Sequence, residues 1–71
     1  MQAYITYERV NNMWFVYGYT IDGALVAANR DGIYSIAERA VIGRLWELGF
    51  DTIVAPPKVL RADTTIAGAI A

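Results

Sequence analysis

The side chains able to do chemistry are few, and they lie far apart. The carboxylates are Glu8, Asp22, Asp31, Glu38, Glu47, Asp51 and Asp63. Two of them side by side could pass a proton, and three could hold a hard cation, but no spacing here brings even two together. The chain has no histidine and no cysteine. The commonest general base, the commonest metal ligand and the thiolate nucleophile are therefore missing. Ser35 is the single serine, and the start of a helix already explains it. Lys58, the single lysine, stands beside a proline pair with nothing near it to activate it. The sequence thus predicts a non-enzyme, with no catalytic residues, no cofactor and no metal.

What remains is suited to binding. Of 71 residues, 56% are hydrophobic, against about 45–50% in ordinary globular chains. A chain this short hides a smaller fraction of its surface than a large one. The surplus predicts a homodimer or a surface for another protein. Net charge is −1, from six basic and seven acidic residues, too little positive charge to coat phosphates. Phe15, Tyr17 and Tyr19 have the flat rings that stack on bases, but they lack the basic flanks of single-strand binders, so no direct nucleic-acid partner is expected. No apolar run reaches the ~18 residues that span a bilayer, and the first ten residues lack a secretory pattern. A single domain over 1–71, cytoplasmic and without a membrane partner, is the expectation.

The elements that position these residues can be read in order. Ala3 to Val10 and Met13 to Ile21 are rich in aromatic and β-branched residues, which suit a pleated surface. Asn11-Asn12 tolerates left-handed φ at both positions and predicts a two-residue hairpin. Asp22-Gly23 predicts a second one, with Ala24 to Asn29 as the third strand. Ser35-Ile36-Ala37-Glu38 fits a capping box. A helix follows, with Ala37, Val41, Leu45 and Leu48 in one stripe and Ile42 and Trp46 beside it. Gly43 in its middle predicts close approach to the sheet, and Gly49-Phe50 predicts a left-handed cap with a hydrophobic partner. Asp51 to Ala55 reads as a fourth strand that must be an edge or stop at Pro56-Pro57. Lys58 to Arg61 is open to a further strand, and 62–71 to a flexible or exchanged tail. The predicted class is α+β: an antiparallel sheet of four or five strands, β-β-β-α-β, with one helix packed on one face.

Turn register decides which side chains share a face. Val10 faces Met13, Glu8 faces Phe15, Thr6 faces Tyr17 and Tyr4 faces Tyr19. Across the second turn, Ile21 faces Ala24, Tyr19 faces Val26 and Tyr17 faces Ala28. One face then carries Tyr4, Met13, Phe15, Tyr17, Tyr19, Ile21 and Val26. The other carries Ile5, Tyr7, Trp14, Val16, Gly18, Leu25 and Ala27, with Gly18 and Ala27 forming a shallow seat for a helical Leu or Trp. The tyrosine-rich face is left for a partner, because tyrosine joins a large apolar area to one polar tip. The predicted partner or dimer interface is Tyr4, Phe15, Tyr17 and Tyr19, with Glu8 and Arg9 at the rim. Arg9 also neighbours Trp14, close enough for a cation–π contact.

Trp14-Phe15-Val16 in a second strand, Ser35-Ile36-Ala37-Glu38-Arg39-Ala40 at a helix start, and Leu48-Gly49 leading to Val54-Ala55-Pro56-Pro57 resemble the small HicB-type antitoxin fold over residues 3 to 60. That resemblance implies neutralisation of a partner toxin. Where that family has a proline-glycine-rich segment after the second strand, Tyr19 to Ala24 is a plain hairpin. The overall profile (short, compact, without catalytic groups) is similar to the small phage-encoded inhibitors of bacterial defence, of which anti-CRISPR proteins are a group. That likeness implies occlusion of a protein target, such as a CRISPR-associated complex, in a bacterial host cytoplasm. A small phage structural or assembly subunit is the third reading.

Overall fold

The structure is a computed structural model and describes residues 1–56. The sequence readings for Lys58 to Arg61 and for the 62–71 tail lie outside these residues. Strands β1 (Gln2–Val10), β2 (Met13–Thr20) and β3 (Leu25–Asp31) precede helix α1 (Tyr34–Glu47) and strand β4 (Thr52–Val54). The sheet order is β3-β2-β1-β4, so this is the α+β arrangement that the residue pattern predicts. The meander is antiparallel, but β4 runs parallel to β1, with Ala3 opposite Ile53. The sheet is therefore mixed rather than wholly antiparallel. The helix carries the chain back along the sheet, so the next strand starts at the end where β1 starts. As an edge strand ending at Val54, β4 loses no ladder bond to the prolines that follow.

The first hairpin has the predicted register, from Val10 opposite Met13 to Tyr4 opposite Tyr19. Asn11 and Asn12 have φ of 51° and 64°, the pair of left-handed residues that a type I′ turn needs. The second hairpin departs from expectation. Its loop has three residues, Ile21 to Gly23, closed by the Thr20 amide on the Ala24 carbonyl at 2.9 Å. Gly23 has a φ of 94°, the left-handed position of three-residue loops. This shifts the pairing by one residue, so Tyr19 faces Leu25 and not Val26. A β-bulge then restores the predicted pairs Gly18–Ala27 and Tyr17–Ala28. Val26, left between the Tyr19–Leu25 and Gly18–Ala27 pairs, packs against the core, while Leu25 is exposed. The predicted faces of Leu25 and Val26 are thus exchanged.

The helix starts two residues earlier than the capping-box reading places it. Its N-cap is Ile33, and no side chain caps it there. Instead Asp31 Oδ1 accepts the Ile33 amide at 2.9 Å, a turn that leads the chain into the helix. Ser35 lies within the first turn, and Glu38 accepts the Tyr34 hydroxyl at 2.7 Å rather than reaching back to the backbone. At the other end, Gly49 has a φ of 97°. The Phe50 amide donates to Leu45 at 2.9 Å and the Gly49 amide to Trp46 at 3.0 Å. These two bonds define a Schellman cap, and they fold the Phe50 ring into the core.

Ala3, Val16, Ala27, Ala37, Val41, Leu45 and Phe50 form that core between the helix and one sheet face. Gly18 is the seat: a Cβ there would lie 3.1 Å from the Leu45 methyls and from Val41 Cγ1. Gly43 does not share this role. A Cβ there would meet nothing within 4 Å, so it points away from the sheet. Trp46 and Leu48, expected in or beside the buried stripe, are exposed, because Ala37, Val41 and Leu45 already fill the space above Gly18. Among the described residues, no helix is long and apolar enough to cross a membrane.

Candidate functional site

The face of the sheet opposite α1 carries the residues that pattern alone nominates for contact. Phe15, Tyr17 and Tyr19 alternate along β2 and are each half-buried. No other described element lies over them. Across the ladder, Phe15 faces Glu8 on one side and Arg30 on the other, and Tyr17 faces Thr6 and Ala28. The small Ala28 leaves a concavity of about 230 Å³, lined by Phe15, Tyr17, Ala28, Asn29 and Arg30. It joins apolar ring faces to a cationic rim, a usual composition for a protein-contact patch.

The Tyr17 hydroxyl donates to Glu8 Oε1 at 2.6 Å. That bond holds the Tyr17 proton, and with desolvation and the nearby Glu8 charge it pushes the phenol up to about 12. Glu8 is therefore tied to the aromatic row, as its place opposite Phe15 suggests, and it fixes the ring of its diagonal neighbour. Tyr4 belongs to the same face but not to its accessible part. Its ring stacks on Tyr19 with centroids 5.2 Å apart and planes 14° from parallel. Only 1% of Tyr4 is exposed, and burial raises its pKa first, with Tyr19 second. A contact residue needs surface to offer, so Tyr4 supports the Tyr19 ring from within and is removed from the set of exposed contacts.

Arg9 also stands apart from the row. It pairs with Trp14 on the helix side of the sheet. Its guanidinium lies 5.5 Å from the Trp14 ring centroid and donates to Asn12 Oδ1 at 3.3 Å. The cation–π reading of Arg9 holds. The structure does not bring it together with Phe15, Tyr17 and Tyr19, because adjacent residues in a strand point to opposite faces.

One group of rings was not assembled by sequence reasoning. Tyr7, Trp14 and Tyr34 meet at the edge of the helix-covered face, with centroids 5.9 Å (Tyr7–Trp14), 5.1 Å (Tyr7–Tyr34) and 5.2 Å (Trp14–Tyr34) apart. They line an open surface depression of about 230 Å³. The hairpin register already placed Tyr7 beside Trp14, but starting the helix at Ser35 left Tyr34 in a loop. The Tyr34–Glu38 spacing of four residues, one helical turn, was the available signal. The hydrogen bond to Glu38, then desolvation and the Glu38 charge, push Tyr34 up to about 12.

Among the described residues, no group of three or more histidine, cysteine, aspartate or glutamate side chains is placed to hold a metal. Each aromatic cluster contains one tyrosine whose hydroxyl donates to a glutamate, Tyr17 to Glu8 and Tyr34 to Glu38. No protein-family model, no curated protein and no solved structure matches the chain.

Proposed function

We propose that this protein is a non-catalytic binding module that covers a surface of a protein partner with the tyrosine face of its sheet. The observation that carries this reading is the row Phe15, Tyr17 and Tyr19, partly exposed on the face that the helix leaves, with a concavity beside it and charges Glu8 and Arg30 at its margins. Rigid rings lose little side-chain freedom on binding and bring a large contact area, so such rows concentrate binding energy. The Tyr17–Glu8 bond holds one ring in place before the partner arrives, which reduces the ordering cost of association.

Occlusion is the mode of action this chemistry fits, and the role put forward first is a phage-type inhibitor of a bacterial defence complex, of the anti-CRISPR kind. Neutralising a toxin in the HicB manner is the second role, and a phage assembly subunit the third. A homodimer is part of the proposal, since Trp46 and Ile36 on the outer side of the helix are 64% and 47% exposed. The test combines two measurements. Light scattering at micromolar concentration is expected to give twice the 7.9 kDa chain mass. Affinity capture from host lysate with the wild-type chain, repeated with Tyr17→Ser, is expected to lose the specific partner while circular dichroism stays unchanged. A strict monomer whose captured proteins are the same for both chains would overturn the reading.

A further inference from the structure

On the outer side of α1 we infer a dimer interface in which two copies of the helix cross antiparallel over Gly43, with Arg39 of each copy paired to the partner's Glu47. This deepens the homodimer named above and rests on that part of the reading, while the tyrosine face takes no part in it. Ala37, Val41 and Leu45 are the buried side of the helix. At about 100° per residue, the opposite side carries Arg39, Gly43 and Trp46, with Ile36 and Glu47 next to them. All five are exposed, Trp46 to 64% and Ile36 to 47%. An uncovered tryptophan on a helix surface is the kind of side chain that anchors the centre of a contact. A Cβ at Gly43 would meet nothing within 4 Å, so the backbone beside Trp46 is bare.

The charge pattern selects a second copy as the occupant. Arg39, Gly43 and Glu47 are spaced four apart and form one ridge of the outer helix surface. Reversed about Gly43, this ridge is its own electrostatic complement: Arg39 meets the partner's Glu47, and Glu47 meets the partner's Arg39. Helices that align such ridges cross at about −50°, the commonest class of helix packing, with axes about 8–10 Å apart. Glycine at the crossing point permits the short end of that range. Trp46, on the neighbouring ridge, then covers the partner's Gly43 and Ile42.

The charged groups are available for this. Among the described residues Arg39 has no ion pair. Glu47 accepts from Arg44 through Oε2 at 3.2 Å, an exposed pair that contributes little and leaves Oε1 for the partner. Antiparallel helices also set opposite dipole ends side by side. A contact one helix long, about 21 Å for 14 residues, buries less than the about 1,600 Å² of a standard interface. The dimer therefore dissociates in the micromolar range.

The test is charge exchange in the full chain, read by sedimentation velocity and native mass spectrometry. Arg39→Glu sets a carboxylate against the partner's Glu47, and Glu47→Arg sets a guanidinium against the partner's Arg39. Each variant is expected to dimerise about tenfold more weakly than wild type or worse, with unchanged circular dichroism because both positions are exposed. An equimolar mixture of the two variants is expected to regain the dimer, as heterodimers with one chain of each kind. Gly43→Gln favours the helix over glycine but fills the crossing point, so it is expected to be folded and monomeric. Tyr17→Ser is expected to dimerise as wild type does, which separates this interface from the tyrosine face. Single variants that dimerise as tightly as wild type, or a mixture that stays monomeric, would overturn the inference and place the dimer contact elsewhere on the chain. A wild-type chain still monomeric at about 100 μM would overturn it together with the homodimer, leaving the tyrosine face to be judged by capture alone.

Discussion

The two faces of the sheet are built from different materials. On the helix side, Ala3, Val16, Gly18 and Ala27 are small or aliphatic, and Val41 and Leu45 descend onto them without a polar atom between. On the opposite side, Phe15, Tyr17 and Tyr19 are large, partly exposed and partly held by a carboxylate. The first face gains stability by excluding water within the chain. The second keeps polar tips in reach of water and spreads ring area outward, which stabilises the isolated chain less and favours a contact with something else. A single strand, β2, serves both ends by alternation: Val16 and Gly18 point one way, Phe15, Tyr17 and Tyr19 the other.

Substitutions on each face should separate these roles. The largest loss is expected from Leu45→Ala. Leu45 is fully buried, and such truncations cost about 3–5 kcal/mol, a large share of the stability of so small a domain. Chemical denaturation should show a variant at or near unfolding. Tyr17→Ser is expected to cost about 1–2 kcal/mol, roughly half of what a fully buried ring loses. A cost equal to that of Leu45→Ala would erase the distinction between the faces. Two glycines sharpen it further by sign. Gly18→Ala forces a methyl against Leu45 and Val41 and should destabilise by about 1 kcal/mol or more. Gly43→Ala, in open space on the helix's outer side, should stabilise by about 1 kcal/mol. Thermal melts of the pair decide this.

A smaller effect concerns alkaline pH. Tyr17 and Tyr34 are each pushed up to about 12 from an ordinary value of 10.0, first by hydrogen bonds to Glu8 and Glu38. A folded-state pKa above the unfolded one stabilises the fold fully below pH about 10, and that contribution is lost as pH rises towards about 12. Phenolate absorbance should therefore show Tyr17 and Tyr34 titrating late, with Tyr4 also delayed by burial, and Glu8→Gln should return only Tyr17 towards its ordinary value.

Much of the fold was legible because short-range chemistry specified it. Asn11-Asn12 admits a two-residue turn and so set the whole first ladder. Gly49-Phe50 set the helix end, since only a left-handed residue there directs Phe50 back to the core. The second turn was read one residue too short, because Asp22-Gly23 serves a two-residue loop and the last two positions of a three-residue loop equally well. The bulge at Val26 cancelled the error beyond it. Ser35 and Glu38 matched a capping box, yet Asp31 competes for the same stretch of backbone from upstream and wins. Of the candidate site, Phe15, Tyr17, Tyr19 and Glu8 followed from alternation and register. Tyr4 did not, because face membership says nothing about depth of burial. The Tyr7–Trp14–Tyr34 cluster was hidden because it joins a strand pair to a helix start, a long-range relation that no local pattern encodes.

The irregularity in β3 has a consequence for how copies of the molecule meet. Among the described elements β3 has β2 as its one sheet neighbour, so its outer row of amides and carbonyls is a template on which a foreign strand could grow. The bulge kinks that row at Val26, and Arg30 and Asp31 place charge at its far end. Only Ala27 to Asn29 remain as straight, uncharged edge, too brief for fibril-like stacking, so concentrated solutions should resist end-on polymerisation even though the surface is oily.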